Sequence, residues 1–281
     1  MHGTDPATGT RPLDVRGLAT IDLPGLESVA ARMLRVDRKY LLPAREAQRL
    51  VGNLAAGTRV LEHEGRTSFH YASVYFDTAP AGTGESYRAA ATGRRRRVKV
   101  RTRCYLDSRR AWLEVKSPTG RDESEKRRFP LDWDAVGPGL GAPGDPTALP
   151  LGPAERDELG LTLSQLGSRV LPEELRGVLR TSYTRTTLAL PREGSRITVD
   201  TGLTWTDPAS SRELSTPMVV VETKTGQSPC SADRHLWRLG HRPVRISKFA
   251  VGLALLGLDE GAAADNRWRH TLRTLQGTGH P

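Results

Sequence analysis

The sequence predicts an α+β fold: an antiparallel β-barrel with a charged lumen and flanking helices. Three observations carry that expectation. Short β-rich segments separated by turn signals recur along most of the 281 residues. On one segment after another the charged side chains fall on one face and the apolar ones on the other, as a period of two requires. An amphipathic helix follows the first of these strands and a more apolar helix follows the last, so each end of the sheet has a helix to cover apolar surface.

Residues 1–30 are rich in Gly, Pro and Thr with little periodicity and read as a flexible leader. LRVDRKYLL (34–42) reads as a strand. PAREAQRLVGNLA (43–55) reads as a short helix, with Pro43 at its start and Leu50, Val51 and Leu54 on one face. HYASVYFDT (70–78), RVKVRTRCYL (97–106), RAWLEVKS (110–117) and SEKRRFPLD (124–132) read as strands, the last three close enough to be consecutive and antiparallel. The stretch from 137 to 155 holds too much Gly and Pro for regular structure and reads as a loop. LTLSQLGSRVLPEELRGVL (161–179) has helical spacing in two pieces, broken near Pro172. RTSYTRTTLAL (180–190), SRITVDTGL (195–203) and TPMVVVETKT (216–225) are three further strands, and a helix begins near Ser247 in RISKFAVGLALLGL (245–258). One domain over 31–260 and a loosely ordered tail over 261–281 complete the reading. There is no internal repeat.

A net charge of +10 favours polyanionic partners: nucleic acid, an anionic membrane surface or phosphate-rich molecules. Two cysteines, Cys104 and Cys230, make no disulfide framework and fit a reduced, cytoplasmic setting. No run of eighteen apolar residues occurs, so the chain is expected to be soluble, without direct membrane insertion. Nucleic-acid binding is disfavoured: single strands stack on aromatic platforms, whereas only 5% of this chain is aromatic and its cations alternate with carboxylates.

Sorted by face, 97–105 carries Lys99, Arg101 and Arg103 opposite Val98, Val100 and Thr102. In 110–117 Glu114 and Lys116 oppose Leu113 and Val115; in 195–200 Arg196 and Asp200 oppose Ile197 and Val199; in 219–224 Glu222 and Lys224 oppose Val219 and Val221. A half-exposed sheet with a wetted charged face shows the same alternation. The other arrangement closes the sheet, turns the apolar faces outward under helices and loops, and lines a lumen with charge. Cations confined that way repel one another unless the site is built around a polyanion and its metal ions, and glutamates then serve as hard oxygen ligands.

The pieces DRKY (37–40), YFDT (75–78), RTRCY (101–105), LEVKS (113–117), EKRRF (125–129), SYTRT (182–186), RITVD (196–200), VETK (221–224) and RISKFAVG (245–252), in this order and at strand spacing, resemble the VTC-type polyphosphate polymerases of the triphosphate tunnel metalloenzyme superfamily, over roughly 34–258. The resemblance implies a tunnel holding ATP and growing inorganic polyphosphate, with Mn²⁺ or Mg²⁺. It implies phosphate ligation in catalysis by Lys39, Arg101, Arg103, Lys116, Arg185, Arg196 and Lys248, phosphate contacts from Arg88, Tyr183, Lys224 and Arg245, and metal ligation by Glu222. Glu114 and Asp200 stand as second carboxylates near the metal or as salt-bridge partners of the lining cations. Some members of the family work beside membrane proteins that receive the polymer, which leaves room for such a partner. Hydrolytic relatives begin with two glutamates two apart before the lysine; Arg35 and Asp37 stand here instead, which favours the polymerase over the phosphatase branch. A polyphosphate-binding module without turnover is the further alternative.

Four smaller features have competing readings. RRRR (94–97) is a nucleic-acid patch or a solvated hairpin end. Asp77 in YFDT is a metal ligand or a turn cap. His63 and His70 lack metal-ligand spacing and read as ordinary residues. Cys104, opposite Arg101 and Arg103, reads as a small buried apolar group.

Overall fold

The computed structural model describes residues 12–30, 36–78, 84–94, 97–118, 124–136, 145, 147–258 and 268–277. In chain order the strands are β1 (Ala19–Ile21), β2 (Val36–Pro43), β3 (Arg59–Leu61), β4 (Ser68–Thr78), β5 (Lys99–Tyr105), β6 (Arg110–Pro118), β7 (Ser124–Leu131), β8 (Leu175–Leu190), β9 (Ser195–Thr206), β10 (Glu213–Ser215) and β11 (Met218–Thr225). The helices are α1 (Leu23–Ala30), α2 (Ala44–Gly52), α3 (Glu85–Ala91), α4 (Trp133–Val136), α5 (Pro153–Gln165), α6 (Ser231–Arg238), α7 (Lys248–Leu255) and α8 (Arg269–Gly277).

Eight strands form one antiparallel path, β2-β11-β9-β8-β4-β5-β6-β7. The expected barrel is not closed by hydrogen bonds: among the described residues the path ends at β2 on one side and β7 on the other, with no ladder between them. The segment before α7 runs along the β2 edge, where Val244 N donates to the carbonyl of Lys39 (2.7 Å).

Three of the four apolar cores among the described residues hold the layers together. Tyr40, Leu42, Ile197, Val199, Val219 and Val221 pack under α2 and α6 through Leu50, Val51 and Leu236. Val100, Leu113 and Val115 pack under α5 through Leu159 and Leu163. In the third, Tyr75, Tyr183, Leu203 and Trp205 meet Phe249, Ala250 and Leu253 of α7. Since Tyr75 and Tyr183 also line the basic cavity, α7 closes one end of the charged face and does not sheathe the outside.

Ser247 caps α7 by accepting from Ala250 N (3.5 Å), and Trp205 Nε1 donates to the Lys248 carbonyl (2.8 Å). The fit is tight at Gly252, where a Cβ would stand 2.2 Å from Trp205 Cδ1 and 2.8 Å from Leu179 Cδ2. Ala is worth about 0.5–1 kcal/mol over Gly in a helix interior, but the clash outweighs it. Gly252→Ala is therefore expected to destabilise the fold by about 1–3 kcal/mol. A thermal melt showing an unchanged or raised midpoint would refute this packing.

Three segments depart from the sequence reading. Residues 175–179 extend β8, because Leu175 and Gly177 pair with Thr78 and Phe76; α5 instead begins at Pro153, inside the expected loop, with Pro in its first turn. In the segment read as a leader, β1 pairs in parallel with β3 and Leu26 is buried, while residues 1–11 lie outside the described residues. In the tail, α8 buries Leu272 and Leu275 against α7; 261–267 and 278–281 lie outside the described residues. No helix among the described residues is long and apolar enough to cross a membrane.

Candidate functional site

The face opposite the first and second cores carries the charges. Along β5 every second residue is fully buried under the helices, and Lys99, Arg101 and Arg103 turn the other way. Pairing brings Glu114 and Lys116 of β6 beside them, then Lys126 and Arg128 of β7. Arg185 of β8, Arg196 of β9, Glu222 and Lys224 of β11 and Asp37 and Lys39 of β2 continue the same surface. Together they enclose a cavity of about 2350 Å³ in which Lys and Arg outnumber Asp and Glu by more than two to one.

Lys39, Arg101, Arg103, Glu114, Lys116, Tyr183, Arg185, Arg196, Glu222, Lys224, Arg245 and Lys248 all line this cavity. Arg88 does not: it is exposed on α3, whose buried residues include Tyr87 and Ala91. Lys126 and Arg128 join the lining and were not singled out from the sequence, although EKRRF puts them on one face. Tyr71 joins it too, stacked on Tyr183 with centroids 5.4 Å apart and lying under Arg185 at 5.2 Å.

Carboxylates organise the cations in three groups. Glu114, 1% exposed, accepts through Oε2 from Arg101 Nε (2.9 Å) and Nη2 (2.7 Å), and through Oε1 from Arg128 Nε (3.1 Å) and Lys126 Nζ (2.5 Å), with Arg103 Nε at 3.6 Å. Burial alone would raise its pKa; Arg101, Arg103 and Lys126 overcome that and hold it well below the usual range. Asp200 takes a two-point contact from Arg185 (2.6 and 2.8 Å) and accepts from Lys248 Nζ (2.5 Å), and these two cations outweigh burial and bring it to about 2. In the third group Lys224 Nζ donates to Glu222 Oε1 and to Asp37 Oδ2 (3.2 Å).

Lys99 has no such counter-charge among the described residues. Its ammonium donates to Ser247 Oγ (3.0 Å) and lies 6.0 Å from the Phe249 ring centroid. Burial, then Lys39, Arg101, Lys116 and Arg97, push its pKa down to about 7. Lys116 is lowered as well, by burial and then by Lys39. Tyr183 moves the other way from burial: Arg185 and Arg103 lower its hydroxyl.

Of the two readings open for Glu114 and Asp200, the geometry is that of salt-bridge partners, since the oxygens of both are taken by cations. Asp77 is occupied as a cap, accepting from Thr78 N (2.9 Å), Ser86 N (2.8 Å) and Tyr87 N (2.8 Å) at the start of α3. His70 Nδ1 lies 3.1 Å from Asp107, and Cys104 and Cys230 are buried free thiols. Within RRRR, Arg95 and Arg96 lie outside the described residues; Arg94 meets Glu85 at 3.6 Å.

No group of three or more His, Cys, Asp or Glu converges among the described residues. What the cavity offers a divalent ion is the oxygen pair of Glu222 and Asp37. That donor set fits Mg²⁺ or Mn²⁺, hard ions that take one or two carboxylates and complete their shell with water and substrate phosphate oxygens.

A family model described as the VTC domain matches residues 34–257. No curated protein matches the chain. Among solved structures, a candidate adenylate cyclase from Bacillus halodurans is 15% identical with a TM-score of 0.47, covering 76% of this chain and 94% of its own. A candidate adenylyl cyclase from Hippeastrum, described with a dominant triphosphatase activity, is 16% identical with a TM-score of 0.45, covering 79% and 96%. A protein from Pyrococcus horikoshii OT3 is 12% identical with a TM-score of 0.41, covering 78% and 98%.

Proposed function

The chain belongs to the VTC domain family, and from that premise we propose that it is a metal-dependent polyphosphate polymerase, transferring the γ-phosphate of ATP to a growing inorganic polyphosphate chain within the basic cavity. One observation supports the reading above the rest. Lys39, Arg101, Lys116, Arg196 and Glu222, which come from five strands, face a single volume. At about 2350 Å³ that volume exceeds the roughly 300–1,000 Å³ of ordinary small-molecule pockets, as an extended polyanion needs. We place the activity in the cytoplasm, where ATP is supplied, and read the curled sheet as a tunnel.

Phosphoryl transfer asks of a protein mainly positioning and charge stabilisation. Arg101, Arg103, Arg185 and Arg196 bring planar forks that bind phosphate oxygens in pairs, and Lys39, Lys116 and Lys248 act as point charges. Glu222, with Asp37 beside it, would hold the divalent ion, whose chemistry is to neutralise charge on the phosphate oxygens. A terminal chain oxygen forms a bond to the γ phosphorus as the bond from that phosphorus to the β–γ bridging oxygen breaks, and ADP leaves with the electron pair. The attacking oxygen is already an anion, so no general base is required. A lining of interchangeable cations lets the lengthened chain slide.

Purified protein incubated with ATP and Mn²⁺ is expected to yield polyphosphate on a stained gel. Glu222→Gln should abolish the ladder. Arg101→Ala should reduce it about tenfold to a hundredfold, the worth of one or two charged hydrogen bonds of roughly 1.5–3 kcal/mol. Free phosphate without chains would point to a triphosphatase, and tight tripolyphosphate binding without turnover to a storage module; either result overturns the polymerase reading.

A further inference from the structure

Antiparallel pairing of β11 with β2 sets Lys224 opposite Asp37 and Glu222 opposite Lys39. The four side chains share one face and all line the cavity, so they form a square of alternating charge. The two cations behave differently. Lys39 Nζ reaches a backbone carbonyl, that of Ile246, at 3.4 Å. Lys224 Nζ instead reaches both carboxylates at once, Glu222 on its own strand and Asp37 across the ladder at 3.2 Å. Its side chain is only 12% exposed. A tethered monovalent cation thus bridges the two carboxylates that a divalent ion would take, holding one oxygen of each.

A divalent ion drawn to the same two carboxylates would meet that ammonium at close range, like charge against like. A metal arriving at the empty cavity would have to displace an ammonium that already stands close enough to Lys116 to disfavour its charge, with Lys39 acting on Lys116 in the same sense. A phosphate chain changes that balance, because it offers Lys224 a new anionic partner and leaves Asp37 and Glu222 facing the metal. Resting on the reading of Glu222 as the metal ligand, we propose that Lys224 is an internal counter-ion that keeps divalent metal out of the Asp37–Glu222 pair until phosphate draws its ammonium away. Metal entry and phosphate occupancy are then coupled, and by linkage each raises affinity for the other by the same factor. The arrangement guards the free enzyme against holding metal without substrate.

The test needs no turnover. Free Mn²⁺ is followed by electron paramagnetic resonance while Mn²⁺ is titrated into the full chain without phosphate. Wild type should bind weakly, Lys224→Met at least tenfold more tightly, and the double variant Lys224→Met, Glu222→Gln should lose that gain. Lys224→Arg, which keeps the cation, should match wild type. Equal binding by wild type and Lys224→Met would overturn the proposal, as would a gain that survives the Glu222 change. Should Lys224→Met not fold, wild type is titrated with and without sulfate, an anion that chelates Mn²⁺ only weakly. Tighter Mn²⁺ binding with sulfate supports the coupling, and unchanged or weaker binding refutes it. A failed polyphosphate gel would leave these titrations intact, so the two readings fall separately.

Discussion

Glu114→Gln is expected to cost roughly 3–5 kcal/mol of stability, the range seen when one member of a buried ion pair is removed. Four cations from the two flanking strands, β5 and β7, converge on this one carboxylate. Neutralising it leaves Arg101 and Arg103 partly buried with no counter-charge and returns the repulsion that the pairing of β5, β6 and β7 now tolerates. Two further readings of the same variant identify the cause. Because the folded pKa of Glu114 lies well below its ordinary value of 4.5, its contribution is fully present above that ordinary value and is lost as pH falls through the folded one. Wild type and variant should therefore converge in strong acid and differ most near neutrality. Tripolyphosphate, binding the folded state and supplying the missing negative charge, should recover part of the loss. Denaturant curves of the two proteins that coincide at pH 7 would show that Glu114 does not hold the cluster together.

What could be read in the sequence follows the length scale of each interaction. The period-two alternation of Lys99, Arg101 and Arg103 is local, and the structure preserves it residue by residue. So is the cap at Ser247 that starts α7. In the region 175–179 Leu175, Val178 and Leu179 have helical spacing as well; what decides the matter is β4, a hundred residues earlier, which offers Leu175 and Gly177 a ladder. Arg88 went wrong for a related reason. ESYRAAA forms a helix, and its period of 3.6 turns Arg88 to solvent while Tyr87 and Ala91 face inward. Lys126 and Arg128 were legible as a shared face, but that their strand would sit beside Glu114 depends on pairing that no window of EKRRF contains. Whether an alternating sheet exposes its charges or curls around them is likewise a property of all the ladders together.

Lys99→Met is expected to stabilise the protein at pH 7 and to flatten its stability against pH. The wild-type ammonium is half-buried, and desolvation together with Lys39, Arg101 and Lys116 lowers its pKa from 10.5 to about 7. Between those two values the unfolded chain holds the proton and the folded chain releases it. The unfolded state then binds more protons, so wild-type stability rises with pH across that window, by about 1.4 kcal/mol per unit from this group at most. Below pH 7 both states are protonated and the full penalty is present. Methionine keeps an unbranched side chain of similar length and removes the charge, so the variant should lead wild type near pH 7 and lose roughly 2–3 kcal/mol of that lead by pH 9. Lys126, lowered to about 8 by burial against the opposing pull of Glu114, adds a slope of its own, but it is common to both proteins and cancels in the difference. With tripolyphosphate present the order should reverse, since wild type gains an ion pair that methionine cannot make. Parallel stability curves from pH 6 to 9 would refute the assignment. A residue that weakens the empty fold and strengthens the occupied one is what a site selected for a polyanion retains, because its cost is felt only while the cavity lacks its ligand.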